Sequence, residues 1–391
     1  MSILGIKLTD SETFLCKVLT HRCYLDCQKV KALFKNLDTE SLYNLTKHNK
    51  TESIAADALS CCVDVDLLPQ YWNDAFEEID IRIGSYMQEL DKASKLLSDN
   101  NIEMVALKNS GITRGLYTRY GACPMGDIDV LVRKQDFRKA HRILVDHGYE
   151  MKFRSPLEEE DIEKAEQGGG AEYAVKLPNG DNLWFELQWR PVAGRWIRPD
   201  QEPSADELME RSVSIKGSSA KLLAPEDNLL QVCLHTAKHT YVRAPGFRLH
   251  TDVDRIVRGC VIDWEAFTQR VISLEVKTAT FFSLALASDL LDTPVPDHVV
   301  VRLSPGKWKV NVISKWLQSV GLFDPDGKKW SRIGYIVFVS LLYDSFSGFA
   351  RGVIPNGTWM KQRYGFNSSL LLPFYHVYRL INLVWKRTLN K

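Results

Sequence analysis

Apolar residues recur at helical spacing through the first hundred positions: Phe14, Val18 and Leu19, then Val30, Leu33 and Phe34, then Ile79, Ile83, Met87 and Leu90. Ser11-Glu12 and Thr39-Glu40 read as helix starts within this stretch. The pattern then shifts to alternating strands and helices. Glu103–Leu107 reads as a short strand, Gly111–Tyr120 as a helix and Asp127–Val132 as a second strand. Gln135–His147 follows as an amphipathic helix ended by Gly148. Two further strands, Tyr173–Leu177 and Leu183–Trp189, flank Pro178-Asn179-Gly180-Asp181, a strong hairpin signal. Helices return with Glu226–His239, Val253–Val257, Trp264–Val271 and Thr278–Leu291. Between core helix and hairpin lies the Glu-rich stretch Leu157–Gln167, read as a solvated helix, and then Gly168-Gly169-Gly170, read as a flexible joint. The chain thus divides into a helical region over 1–98, an α/β (α+β) core over 99–215 and a second helical region over 216–391.

Composition narrows the partners. With 391 residues the chain can bury a sizeable core, and a formal net charge of +1 gives no global case for nucleic-acid binding. The start lacks the basic-then-apolar pattern of a secretory signal, so the cytoplasm is the expected location. The eight cysteines have no framework spacing; Cys23, Cys27, Cys61 and Cys62 form no zinc pattern, and reduced thiols are expected. The apolar run Tyr335–Tyr343 is too short to span a bilayer, and Ser369–Trp385 is interrupted by Pro373, His376 and Arg379. The second run can touch a membrane surface, ahead of Lys386 and Arg387, but a packed helix is the favoured reading.

The chemistry centres on Gly126-Asp127-Ile128-Asp129-Val130-Leu131-Val132. Carboxylates at i and i+2 of a strand leave the same face, and they repel unless a cation lies between them. Hard oxygen ligands favour Mg2+ or Mn2+, and with them phosphate chemistry. Glu186, on the second hairpin strand with Trp184 and Gln188 on its face, becomes a third carboxylate if the hairpin lies beside the acidic strand; a surface partner for Arg190 or Lys176 is the plainer alternative. Lys108-Asn109-Ser110-Gly111 forms a small-residue turn between strand and helix, able to offer backbone N–H groups to phosphate, with Lys108 as a point charge. Ser110 serves equally well as a helix N-cap. His235 and His239 share a helix face, but Thr236 stands where a zinc protease would need Glu, so packing is favoured over ligand contact by His235, Lys238 or His239. Asp252 and Asp254 read as a helix start, Arg243 and Arg248 as a solvated loop, and Trp184, Trp189 and Trp196 as packing between sheet and helices.

At these residues the chain resembles the nucleotidyltransferase superfamily related to DNA polymerase beta. More closely, it is similar to the uncharacterised nucleotidyltransferase family found in bacteria. Members carry a Leu-Lys-Gly-small turn, a Gly-Asp-Ile-Asp strand, a Gly-Tyr pair, a Glu-Leu-His strand and a later helix with two histidines. Here these read Leu107-Lys108-Asn109-Ser110, Gly126-Asp127-Ile128-Asp129, Gly148-Tyr149, Glu186-Leu187-Gln188 and His235-Thr236-Ala237-Lys238-His239. The likeness spans residues 95 to 260, with a family flavour in Pro355–Tyr364 as well. Asn109 replaces the turn glycine and Gln188 the histidine; Asn tolerates left-handed backbone angles, whereas Gln cannot act as a proton carrier.

The resemblance implies a small mixed nucleotidyltransferase sheet with flanking helices. It implies transfer of a nucleoside monophosphate from an NTP such as ATP to a hydroxyl or phosphate acceptor, a small molecule, sugar, peptide or protein. Asp127, Asp129 and Glu186 would be catalytic and metal-binding. Lys108, Asn109, Ser110, Gly111, His235 and Lys238 would bind nucleotide. The rival readings are a non-catalytic nucleotide- or partner-binding module that keeps the fold, as Asn109 and Gln188 suggest, and a helical scaffold.

Overall fold

The computed structural model describes residues 2–20, 22–154, 160–191, 197–325, 331–355 and 357–389. Helices α1 (Asp10–Leu19), α2 (Cys27–Phe34), α3 (Thr39–His48), α4 (Glu52–Cys62) and the long α5 (Gln70–Asp99) come first. Helix α3 starts at Thr39 as expected, and α1 starts one residue ahead of Ser11. Thr9 caps α1 in a reciprocal box with Glu12, and Asp38 caps α3 through the Glu40 N–H. Cys27 and Cys62 form a disulfide tying α2 to α4, with Cα atoms 4.4 Å apart, a departure from the expected reduced thiols.

The sheet has seven strands: β1 (Val105–Ala106), β2 (Asp127–Leu131), β3 (Glu150–Met151), β4 (Gly170–Lys176), β5 (Asn182–Gln188), β6 (Val213–Ser214) and β7 (Lys221–Leu222). Their spatial order is β3-β4-β5-β2-β1-β7-β6. Strand β2 runs antiparallel to β1 and parallel to β5, and β1 runs parallel to β7, so the sheet is mixed. This is an α/β nucleotidyltransferase-like fold. Helices α6 (Lys108–Leu116), α7 (Phe137–Asp146), α8 (Ile162–Gly168) and α9 (Ala205–Arg211) are interleaved with the strands.

Period-two alternation sorts the two faces of the sheet. Ile128 and Val130 of β2, Phe185 and Leu187 of β5, and Ala171, Tyr173 and Val175 of β4 point into one core with Ile83, Met87 and Leu90 of α5 and Phe137, Ala140 and Leu144 of α7. The residues between them, Asp127, Asp129, Glu172, Glu186 and Gln188, therefore share the opposite face. The glycines after α8 are no joint. Gly169, at φ 107°, is its left-handed cap, and Gly170 already belongs to β4.

Helices α10 (Pro225–Lys238), α11 (Arg248–Gly259), α12 (Trp264–Ser273), α13 (Lys277–Leu291), α14 (Asp297–Leu303), α15 (Lys307–Val320), α16 (Arg332–Leu341), α17 (Phe346–Val353), α18 (Gly357–Tyr364) and α19 (Leu372–Leu389) complete the order. The second core joins α1 and α4 to α10, α11 and α13 through Phe14, Leu59, Leu230, Ile256 and Phe282, so helices on both sides of the sheet region in the chain share one hydrophobic interior. Asp252 and Asp254 do not start α11 as expected. They lie inside it, buried, and ion-pair with Arg248, Arg255 and Arg258. Among the described residues no helix is long and apolar enough to cross a membrane.

Candidate active site

The parallel ladder between β2 and β5 sets Asp127 opposite Trp184 and Asp129 opposite Glu186. The hairpin ladder sets Glu172 opposite Glu186. Four carboxylates thus occupy one patch of the sheet. Glu172 was not anticipated, yet the Pro-Asn-Gly-Asp turn pairs Lys176 with Asn182, and counting back along the ladder places Glu172 beside Glu186.

Two cations answer these charges. Lys108 Nζ lies 2.7 Å from Asp129 Oδ1 and 3.8 Å from Glu186 Oε2. Arg154 Nη1 lies 2.6 Å from Asp127 Oδ2, and its Nε donates to Glu172 Oε2 at 3.1 Å. No sequence pattern announced Arg154, which reaches the patch from the segment after β3. Gln188 Nε2 donates to Asp129 Oδ1 at 3.0 Å and to Glu186 Oε2 at 2.7 Å, joining the two acids. Glu186 is therefore not a surface partner of Arg190, which pairs with Glu202 instead.

Burial raises the Asp129 carboxyl to about 7, against the pull of the Lys108 ammonium and with a push from Glu186. Burial also raises Glu186, but its hydrogen bond with Asp129 and the Lys108 charge outweigh that and hold it below the usual carboxylate value. The two neighbouring carboxyls are thus shifted in opposite senses beside the ammonium. Burial disfavours the Lys108 ammonium, yet Asp129 and Glu186 keep it charged well beyond the ordinary range.

The turn after β1 departs from expectation in detail. Lys108 itself, at φ 48°, takes the left-handed conformation expected of Asn109, and its backbone N–H donates to Gln231 Oε1 of α10 at 3.0 Å. Asn109 is turned away from the patch. In its satisfied orientation its amide donates to Asp252 Oδ2 at 2.8 Å and accepts from Arg248. Ser110 is neither an N-cap nor open to solvent: it is buried, and its Oγ accepts the Asp129 backbone N–H at 2.9 Å, locking the turn to β2. The Gly111 N–H is spent on Leu107 O at 3.2 Å. A side chain at Gly111 would stand 2.6 Å from Ala106 O, so the glycine lets α6 lie against β1.

Helix α10 borders the patch. Burial, the Lys108 ammonium and His239 push the His235 imidazole far below its usual value, and burial takes His239 to about 4. Both rings are neutral at pH 7, and they meet edge to face at 4.9 Å. Burial and Lys108 lower the Lys238 ammonium, while Glu186, Asp129 and Asp127 act on it in the opposite sense. Arg248, expected in a solvated loop, is buried and donates to Pro124 O at 2.8 Å, holding the segment that enters β2. Trp196 lies outside the described residues.

The donors of the patch are all hard carboxylate oxygens, the chemistry a divalent Mg2+ or Mn2+ prefers. They are arranged as two cation-satisfied pairs: Asp129 and Glu186 on Lys108, Asp127 and Glu172 on Arg154. Among the described residues no group of three or more His, Cys, Asp or Glu side chains stands ready to hold a metal ion. The donor set suits the ion, but Lys108 and Arg154 must yield for it to enter.

Neither the curated proteins nor the solved structures yield a match to this chain. The uncharacterised nucleotidyltransferase family does match, over residues 35–292, which takes in the acidic strand, the hairpin, α10, α11 and most of the N-terminal helices. The chain belongs to the family of uncharacterised nucleotidyltransferases.

Proposed function

We propose that the protein is a metal-dependent nucleotidyltransferase that moves a nucleoside monophosphate from an NTP to a hydroxyl or phosphate acceptor. The observation that carries this reading is the register of β2 on β5, which sets Glu186 beside Asp129 on the face that also bears Asp127. Asp127, Asp129 and Glu186 would hold Mg2+ or Mn2+. The ion would neutralise triphosphate charge. Glu186, kept ionised beside Lys108, is the base for the acceptor proton. Lys108 and Lys238 offer positive charge to phosphate, while Gln188 orients both acids.

The acceptor is a small molecule, sugar, peptide or protein; a net charge of +1 argues against a nucleic-acid backbone. Incubation with labelled NTPs, Mg2+ and cell extract tests the reading. Label transfer that disappears in Asp127→Asn plus Asp129→Asn is expected, and absence of transfer with every NTP would sink it.

A specific observation favours a second reading, a nucleotide-binding module without catalysis. Lys108 already supplies Asp129 with a cation at 2.7 Å and Arg154 supplies Asp127 with one at 2.6 Å, so each aspartate has a positive partner without metal. Nucleotide-dependent melting with no dependence on Mg2+ and no transfer would select it.

A further inference from the structure

Helix α19 presents an outward apolar stripe, touched at its edge where Tyr378 meets the Tyr364 ring. Leu370, just before it, is 91% exposed; Phe374 is 64%, Val377 56%, Tyr378 46% and Ile381 58% exposed. The spacing from Phe374 onward is i, i+3, i+4, i+7, one continuous helix face. The opposite face is occupied. Tyr375 stacks on Phe366 with centroids 4.2 Å apart and planes 4° from parallel, and Arg379 donates to Gly352 O at 3.1 Å. The stripe is therefore turned outward by contacts that anchor the other side of the helix.

Charge identifies what fits it. From 345 to 391 the chain has seven Lys and Arg residues and no Asp or Glu. The whole chain sums to +1, so the preceding 344 residues carry −6. An amphipathic helix with large apolar side chains outward, in a segment whose own charged residues are all cationic and of which Arg351 is paired with Glu275, suits the interface of an anionic bilayer. A second copy fits poorly, because an isologous pairing of these segments would bring like charges together, and the segments contain no acid of their own to offset them. Crossing the bilayer is not at issue, since no described helix is long and apolar enough.

We propose that α19 is a membrane-surface anchor that lays Leu370, Phe374, Val377, Tyr378 and Ile381 into the headgroup region of an anionic lipid bilayer. The inference is independent of nucleotidyl transfer.

The test is co-sedimentation of the full chain with phosphatidylcholine vesicles, with and without phosphatidylserine. The expected result is binding to the anionic vesicles, weakened by salt and at least roughly tenfold weaker on the neutral ones. Phe374→Asp plus Ile381→Asp, both exposed, should reduce binding by at least roughly tenfold with an unchanged melting temperature. Lys386→Gln plus Arg387→Gln should reduce it by about fivefold per charge, giving a second route if the first variant misfolds. Failure of the wild-type chain to bind anionic vesicles overturns the proposal. So does binding indifferent to both variants, or a dimer in solution that Phe374→Asp plus Ile381→Asp converts to monomer.

Discussion

Glu186 faces Asp129 directly across the parallel β2–β5 ladder, and one Gln188 amide nitrogen reaches both carboxyls, at 2.7 Å and 3.0 Å. The two acids lie 57 positions apart in sequence. Only the register of one strand on the other makes them partners, and a slip of one residue would turn Glu186 into the core.

Removing either charge should therefore disable the site without unfolding the sheet. Asp129→Asn and Glu186→Gln are each expected to lower nucleotidyl transfer by about two to three orders of magnitude, the scale for losing a preorganised charge. Steady-state rates with saturating Mg2+ check this, with circular dichroism to confirm the fold. Gln188→Ala should cost less, because it orients both acids and replaces neither.

Arg154 holds Asp127 at 2.6 Å, where a metal ion would compete with it. Both side chains are partly exposed, so the pair is worth little. Arg154→Gln is expected to lower the Mg2+ or Mn2+ concentration for half-maximal activity by about two- to tenfold. Metal titration by activity, or by Mn2+ paramagnetic resonance, gives the measurement. An unchanged or raised requirement would show that Arg154 does not guard the site.

Asn109 should matter for stability rather than for nucleotide contact. Its amide satisfies Asp252 and Arg248, both buried. Asn109→Gly puts a glycine in the turn but takes one hydrogen-bond partner from each of those groups, at an expected cost of about 1–3 kcal/mol in denaturant unfolding. The Km for NTP should change little.

His250 is fully buried, its Nε2 against Tyr241 O at 2.9 Å, and burial lowers its pKa from 6.5 to about 4. The unfolded chain thus takes up a proton below 6.5 that the folded protein refuses until about 4. Its contribution is present in full above the higher value and is lost as pH falls toward the lower one. At pH 5 the loss from this group is about 2 kcal/mol. Guanidinium unfolding at pH 7 and pH 5 should show it, and His250→Gln should flatten the difference, whatever its effect on stability at pH 7.

Much of the candidate site was legible in the chain because it rests on local periodicity. Asp127 and Asp129 share a face through the two-residue repeat of a strand, and Pro178-Asn179-Gly180-Asp181 dictates a hairpin whose ladder brings Glu172 to Glu186. The histidine helix was recognisable by spacing, though nothing in its own residues placed it beside Lys108.

Other features came only with the assembled fold. Spacing offered Ser110 to phosphate or to a helix cap, whereas packing buries it under the Asp129 N–H. Asp252 and Asp254 looked like a helix start because acids favour that end. Their true environment, inside α11 among Arg248, Arg255 and Arg258, depends on a helix boundary that tertiary contacts moved. Arg154 and the Cys27–Cys62 pair had no local signal, since each depends on where distant segments meet. Sequence alone determined which faces are apolar and which acids share a strand, because those properties repeat within a few residues. The tertiary structure decided which cation meets which acid, because that is set by the distance between side chains whose chain separation carries no information about it.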